Sequence, residues 1–264
     1  MVVTVKYIGD NTKYKVKNLE SIKKHDKVVY IDCSYNRLKY FPVNILKYAQ
    51  QLQELHCDYN YFTSLPKNIK FPALSIFSCK NNELVSLPEN VAEMFPSLQE
   101  FYCSSNKLVY LPEKAYFPML QIFDCGGNKL SSLPNNICEM FPQLTHLNCC
   151  LNKLIYLPEN MSFPSLQVFD CGYTQLISLP ENMNFPLLQK FNCSYNQLVS
   201  LPENMNFPLL KEFYCGNNKL VYLPENMNFP LLKVFSCINN KLVYQPENMY
   251  EKFPQLKKFY CINA

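Results

Sequence analysis

This chain has one arginine, Arg37, three histidines and five glycines in 264 residues, and each shortage removes a class of function. Nucleic-acid binders lean on the planar guanidinium for bidentate and stacking contacts, so a single arginine and a net charge of only +4 argue against that role. With five glycines there is no Gly-rich loop to cradle a phosphate. His25, His56 and His146 are far apart in the chain. A metal or acid–base site needs more convergent partners than His56 beside Asp58, or His146 four residues from Cys150, can offer. No stretch approaches the ~18 apolar residues of a membrane span. The start, Met1-Val2-Val3-Thr4-Val5-Lys6, holds no apolar run of signal-peptide length. An intracellular location is therefore the default expectation. No enzyme, metal or cofactor is expected.

What the chain does have is a period. Of its 13 cysteines, eleven recur in step: Cys33, Cys57, Cys79, Cys103, Cys125, Cys149, Cys171, Cys193, Cys215, Cys237 and Cys261. The spacing is 22 or 24 residues throughout. Repeats of this length signify a stacked, quasi-one-dimensional array. A Leu or Phe stands two residues before almost every one of these cysteines, for example Phe77, Leu147 and Phe213. A Leu stands five before in every unit but the first, which has Val28. An Asn stands three after, from Asn36 to Asn240, and Thr174 alone breaks that row. Leu-Pro follows eight and nine after, with Phe41-Pro42 and Gln245-Pro246 as variants.

The pattern L-x-x-[LF]-x-C-x-x-N-x-L-x-x-L-P resembles the leucine-rich repeat, with cysteine in place of the third leucine. The resemblance covers residues 28–264. The Leu-Pro return segment is similar to that of bacterial effectors, and the Cys, Asn, Lys and Tyr usage resembles repeat proteins of giant DNA viruses of amoebae. Thirty asparagines against five alanines are the composition expected of drift in an AT-rich genome. The resemblance implies a β-rich solenoid: a leucine-rich repeat arc with a parallel concave sheet of about eleven short strands. It also implies a protein-interaction scaffold that binds a partner, a host protein if the chain is viral, on the concave face.

The residues support that architecture independently. Leu/Phe-x-Cys alternates with period two, which puts both side chains on one face of an extended strand. The cysteines then form a buried row and act as small hydrophobes, held apart by the strand spacing rather than joined or metal-bound. Cys138 falls on the convex side. Cys150 falls at a solvent-facing strand position and is the one candidate for a reactive thiol. Each asparagine amide can donate and accept at the turn leaving its strand, and Thr174, with one hydroxyl, predicts a weak rung. Two prolines within seven residues (Pro180 and Pro186, for instance) leave little room for a helix, so the 22-residue units are expected to return in extended form. The two extra residues of the longer units, as in Asn90–Phe95, allow a short helical or 3-10 turn. Residues 1–27 stand outside the period as an N-terminal cap. They read as a β-hairpin, Val2–Ile8 and Thr12–Val16 around Gly9-Asp10-Asn11, followed by a short helix from Leu19 to His25 capped by Asn18.

Function is expected on the variable strand positions. Asp32, Glu54, Asp58, Glu100, Asp124 and Asp170 make the earlier strands acidic, and Lys190 and Lys258 with Lys211, Lys233 and Lys257 make the later ones basic. The candidate partner-binding residues are His56, Asp58, Tyr102, Asp124, Asp170, Tyr214 and Tyr260, the tyrosines being residues of the kind enriched at interaction hot spots. The alternative reading is a self-assembling protein or homodimer joined through the C-terminal rungs by Ile238, Phe259, Tyr260 and Ile262. A carbohydrate binder using Tyr and Asp ranks third. Neither nucleic acid nor membrane is an expected partner.

Overall fold

A computed structural model describes residues 1–10, 12–22, 25–244 and 248–261. The fold is a parallel-sheet β-solenoid with few helices, and its residues group into two compact units. The first comprises Met1–Lys129 with Glu139–Pro142, the second Leu130–Cys138 with Gln143–Ala264.

In the first unit, strands β1 (Val3–Tyr7) and β2 (Tyr14–Val16) form an antiparallel hairpin. Gly9, at φ 74°, supplies the left-handed turn between them. β1 also pairs antiparallel with β3 (Val28–Asp32), so the hairpin covers the edge of the first rung. From β3 the sheet continues parallel through β4 (Glu54–His56), β5 (Ile76–Ser78), β6 (Glu100–Tyr102) and β7 (Ile122–Asp124). Asn18 does cap, accepting from Ser21 N at 2.9 Å, but the helix it starts is one 3-10 turn, Leu19–Ser21. A separate 3-10 turn spans His25–Lys27, so the single helix expected from Leu19 to His25 is not formed.

In the second unit six strands run parallel in chain order: β8 (His146–Asn148), β9 (Val168–Asp170), β10 (Lys190–Asn192), β11 (Glu212–Tyr214), β12 (Val234–Ser236) and β13 (Lys258–Tyr260). Strands of three residues are what one inward Leu/Phe between two outward positions requires.

The 22/24 alternation maps onto the return segments. All four 24-residue units carry a helical turn: 3-10 at Val43–Tyr48, and α1 (Val91–Met94), α2 (Ile137–Met140) and α3 (Met249–Lys252). The 22-residue units return in extended form, and some add a parallel bridge, as at Ser162 with Asn184 and Asn206 with Asn228. Two residues are therefore the difference between an extended crossing and one turn of helix.

The core is laid down in columns. Ten of the eleven ladder cysteines are fully buried, and Cys261 is half-buried. One pair of sulfurs approaches more closely than strand spacing alone suggests: Cys33 Sγ lies 3.3 Å from Cys57 Sγ, a contact between free thiols. Thiols in one rotamer on parallel strands would sit a full strand spacing of about 4.8 Å apart, so these two lean toward each other. Burial drives the thiols of Cys57, Cys79, Cys103, Cys171, Cys193 and Cys215 well above the usual thiol range.

The asparagines form the expected second column. Asn60 Nδ2 reaches the carbonyls of Cys33, Cys57 and Asp58, all at 3.1 Å, while its Oδ1 accepts from Leu38 N at 2.9 Å. The same set recurs at Asn82, Asn106, Asn128, Asn196, Asn218 and Asn240. Thr174 breaks it: its Oγ1 sits by Cys171 O and Asn196 Oδ1 with one hydrogen to share, and it offers no amide oxygen to Leu154 N.

Candidate functional site

The outward positions of the sheet hold the side chains singled out above, and the first unit gathers most of them around Lys80. Register places His56 beside Ser78, and Ser78 beside Tyr102. Lys80 Nζ lies 4.1 Å from the Tyr102 ring centroid and 3.6 Å from Asp124 Oδ2. The Tyr102 hydroxyl donates to Glu100 Oε2 at 2.8 Å. Burial, then the Glu100 carboxylate, raises the Tyr102 phenol above its ordinary value, so it remains a donor through the neutral range. Asp58 Oδ1 accepts from Ser78 Oγ at 2.6 Å and Lys80 N at 2.8 Å. Asp124 Oδ2 accepts from Ser104 Oγ at 2.9 Å. These two carboxylates therefore tie neighbouring rungs together as well as facing outward. His56 stands at the margin, with Nε2 3.6 Å from Glu54 Oε2 and its ring 5.3 Å from that of Tyr30.

The second unit repeats part of this arrangement. Lys190 Nζ lies 3.3 Å from Glu212 Oε2 and 5.6 Å from the Tyr214 ring centroid, and the Tyr214 hydroxyl donates to Glu212 at 3.2 Å. Burial, then Glu212, raises the Tyr214 phenol. Asp170 Oδ1 accepts from Gly172 N at 2.9 Å and Asn192 Nδ2 at 3.1 Å. A Cβ on Gly172 would stand 2.9 Å from that amide, so the glycine makes room for the bond. Tyr260 is exposed on β13, while Phe259 beside it packs on Phe235 with centroids 5.5 Å apart. Ile238 is half-buried and sits against Gly216. Ile262 and Gln245 lie outside the described residues. Cys150 is half-buried, more accessible than Cys149 beside it but not fully exposed.

Three features escaped sequence reasoning. Lys80, Glu100 and Ser104 complete the first cluster, and the signal was available: residues just after one ladder cysteine lie diagonally across from those just before the next. The residue two after each cysteine has positive φ, between 52° and 63°, in ten rungs, including Tyr35, Tyr59, Leu151, Tyr173 and Tyr195. Only one of the ten, Gly127, is glycine, so composition gave no cue. The tyrosines there stack in pairs, Tyr35 on Tyr59 at 4.3 Å and Tyr173 on Tyr195 at 3.9 Å. Finally, an exposed aliphatic row, described below, runs six residues after the cysteines.

Among the described residues no group of His, Cys, Asp or Glu is arranged to hold a metal ion, and no helix is long and apolar enough to cross a membrane.

No known family's sequence profile matches the chain, and no curated protein matches it in sequence. Solved structures do. YopM from Yersinia enterocolitica WA-314 is 26% identical, with a TM-score of 0.60 over 86% of this chain and 48% of YopM. The functional domain of InlJ from Listeria monocytogenes, described as including a cysteine ladder, is 21% identical, with a TM-score of 0.60 over 96% of this chain and 56% of that one. A chain of the Toll–Spatzle complex from Drosophila is 19% identical, with a TM-score of 0.60 over 78% of this chain and 30% of that one. The chain thus spans about half the length of YopM. These neighbours are leucine-rich repeat proteins, and the fold here is the leucine-rich repeat. Proteins of this fold serve in general as non-enzymatic scaffolds for other proteins.

Proposed function

We propose that this protein is a non-catalytic scaffold that binds a protein partner on the outward face of its sheet, the concave face the repeat implies. The observation that carries the reading is the ordered cluster of Lys80, Glu100, Tyr102 and Asp124. A tyrosine held by a cation on its face and a carboxylate on its hydroxyl has little rotamer freedom left to lose, which is what a binding anchor needs. The strands beneath it are paired on both sides, β6 with β5 and β7. Lys190, Glu212 and Tyr214 provide a second anchor of the same kind on the other unit. Acidic side chains around the first anchor and lysines along β10–β13 favour a partner with a basic segment for one and an acidic segment for the other. The Toll–Spatzle structure, a complex of two proteins, is consistent with this use of the fold.

The test is a pull-down from a host-cell lysate with partners identified by mass spectrometry, followed by affinity measurement on the recovered partner. The Tyr102→Ala/Tyr214→Ala variant should bind at least ~30-fold more weakly, as expected for two aromatic anchors. Equal capture by that variant would remove the main support for sheet-face binding.

A further inference from the structure

The second unit carries a self-complementary surface away from the sheet, on the flank where the chain leaves each strand. Ile155, Ile177, Val199, Val221 and Val243 occupy the position six after the cysteine in five successive rungs, and all five are exposed. Backbone bonds join neighbours in the row: Ile177 N donates to Ile155 O, Val221 N to Val199 O, and Val243 N to Val221 O. One residue further on, Tyr156, Tyr222 and Tyr244 are also exposed, at 59%, 51% and 83%. Single exposed apolar residues mean little, but a contiguous row on a fold with no need of it marks an interaction surface.

The rows on either side say what fits there. Two residues before each aliphatic stands an exposed side-chain donor, Lys153, Gln175, Gln197, Lys219 or Lys241. Four residues after stands an exposed carboxylate, Glu159, Glu181, Glu203 or Glu225. Among the described residues none of these lysines or glutamates forms an ion pair within the chain. The flank is thus a column of donors, a column of aliphatics and a column of acceptors, in that order. A surface so striped is complementary to itself when turned over about an axis parallel to the stripes: donors meet acceptors and aliphatics meet aliphatics. Turning it about an axis across the stripes would set lysines on lysines and glutamates on glutamates. The second and third of the five rungs have Gln175 and Gln197 in place of lysine, so Glu181 and Glu203 there would meet neutral amide donors, with lysines toward the ends of the run.

We propose that this flank pairs with a second copy of the chain, the two repeat arrays side by side and parallel, so that each rung of the run meets the same rung of its mate. Lys153 then faces Glu159 of the second copy, and Lys219 faces its Glu225. The pairing is independent of the sheet-face reading, because it uses none of the same residues.

Sedimentation equilibrium of the full chain from 1 to 100 µM tests it. A species of twice the 30.9 kDa chain mass is expected. Ile177→Glu should weaken it by at least ~30-fold, a central position made charged. Lys219→Glu and Glu225→Lys should each weaken it by up to ~5-fold, the scale of a rim charge, and an equimolar mixture of the two should recover wild-type affinity, since both contacts across the two-fold become opposite-charge pairs again. Circular dichroism that matches wild type shows each variant folded, and the charge-swap mixture decides the matter even if Ile177→Glu does not fold. A monomer at 100 µM, a dimer indifferent to Ile177→Glu and to both charge reversals, or a mixture no tighter than the single variants would each overturn the proposal. A dimer lost only on Tyr260→Ala would place the contact at the C-terminal rungs and overturn it too.

Discussion

The two units solve the same packing problem with different regularity. From Cys149 to Cys237 every rung is 22 residues, and the buried phenylalanines fall into two columns. Phe191–Phe213 and Phe213–Phe235 stack at 5.5 and 5.4 Å with planes 15° and 11° apart, and Phe207–Phe229 stack at 5.8 Å and 4°. Rings of one column meet the other edge-on, as Phe213 meets Phe229 at 72°. In the first unit, where 22 and 24 alternate, the angles are uneven: Phe77–Phe101 stack at 23°, while Phe101–Phe123 tilt by 46° and Phe117–Phe141 by 47°. Equal repeat length lets identical side chains repeat one rotamer, whereas a helical turn in alternate units moves the supporting residue and each ring finds its own angle. The longest run of parallel rings thus coincides with the run of equal return segments.

The largest effect expected to break this comparison is alkaline. Seven buried thiols, Cys57, Cys79 and Cys103 in the first unit and Cys171, Cys193, Cys215 and Cys237 in the second, are held protonated far above the ordinary value of 9.0. The unfolded chain ionises at that ordinary value and the folded chain does not, so the unfolded state binds fewer protons. This contribution to stability is intact below about pH 8 and is lost progressively above about pH 9, at about 1.4 kcal/mol per thiol for each further pH unit. Urea midpoints from pH 7 to 10.5 should fall steeply above pH 9 in both units, and a flat profile would deny the buried row.

Next in size, Phe213→Ala removes a ring stacked on both sides and should cost about 3–5 kcal/mol by chemical denaturation. Phe123→Ala should cost less, nearer 3, because its looser surroundings can relax. Equal losses would mean that the stacking angle carries no energy. Smaller still, Thr174→Asn should stabilise the second unit by about 1 kcal/mol, giving Leu154 N the acceptor that its counterparts have. The same change read by hydrogen exchange should slow the Leu154 amide selectively. The smallest effect is one of rate rather than stability: a thiol probe on native protein should modify half-buried Cys150 well before Cys149 or Cys171. Rapid modification of the buried row without unfolding would contradict it.

Much of this was legible in the sequence because a repeat reports each constraint many times. One Leu-x-Cys is ambiguous, but eleven in register can only be a strand face, and the asparagine row could be assigned its amide bonds from residue type and position alone. The 24-residue units announced their helical turns through two extra residues. Legibility failed where the physics is not periodic in residue type. The left-handed position after each strand accepts Tyr, Leu, Ser and Asn alike, since the strand bond, such as Tyr35 N to Asp58 O at 2.9 Å, and the adjacent asparagine over-determine it. The Lys80 cluster depends on a diagonal contact between rungs that a row-by-row reading separates. The first cap turn ends at Ile22, which is extended at φ −74° and ψ 127°.

The asparagine column has a direction. Each amide serves the rung before its own: Asn82 reaches back to Cys57 O and accepts from Phe62 N, and Asn36 closes on the cap strand through Val2, accepting from Val2 N at 2.7 Å and donating to Val2 O at 2.8 Å. A rung is therefore finished by its successor. It follows that damage to one asparagine is felt one rung upstream, while excision or duplication of a whole 22-residue rung inside the uniform run leaves every remaining rung with a successor of the same kind. The array is extensible in length yet polar in order, like a zip whose every tooth is locked by the tooth that follows.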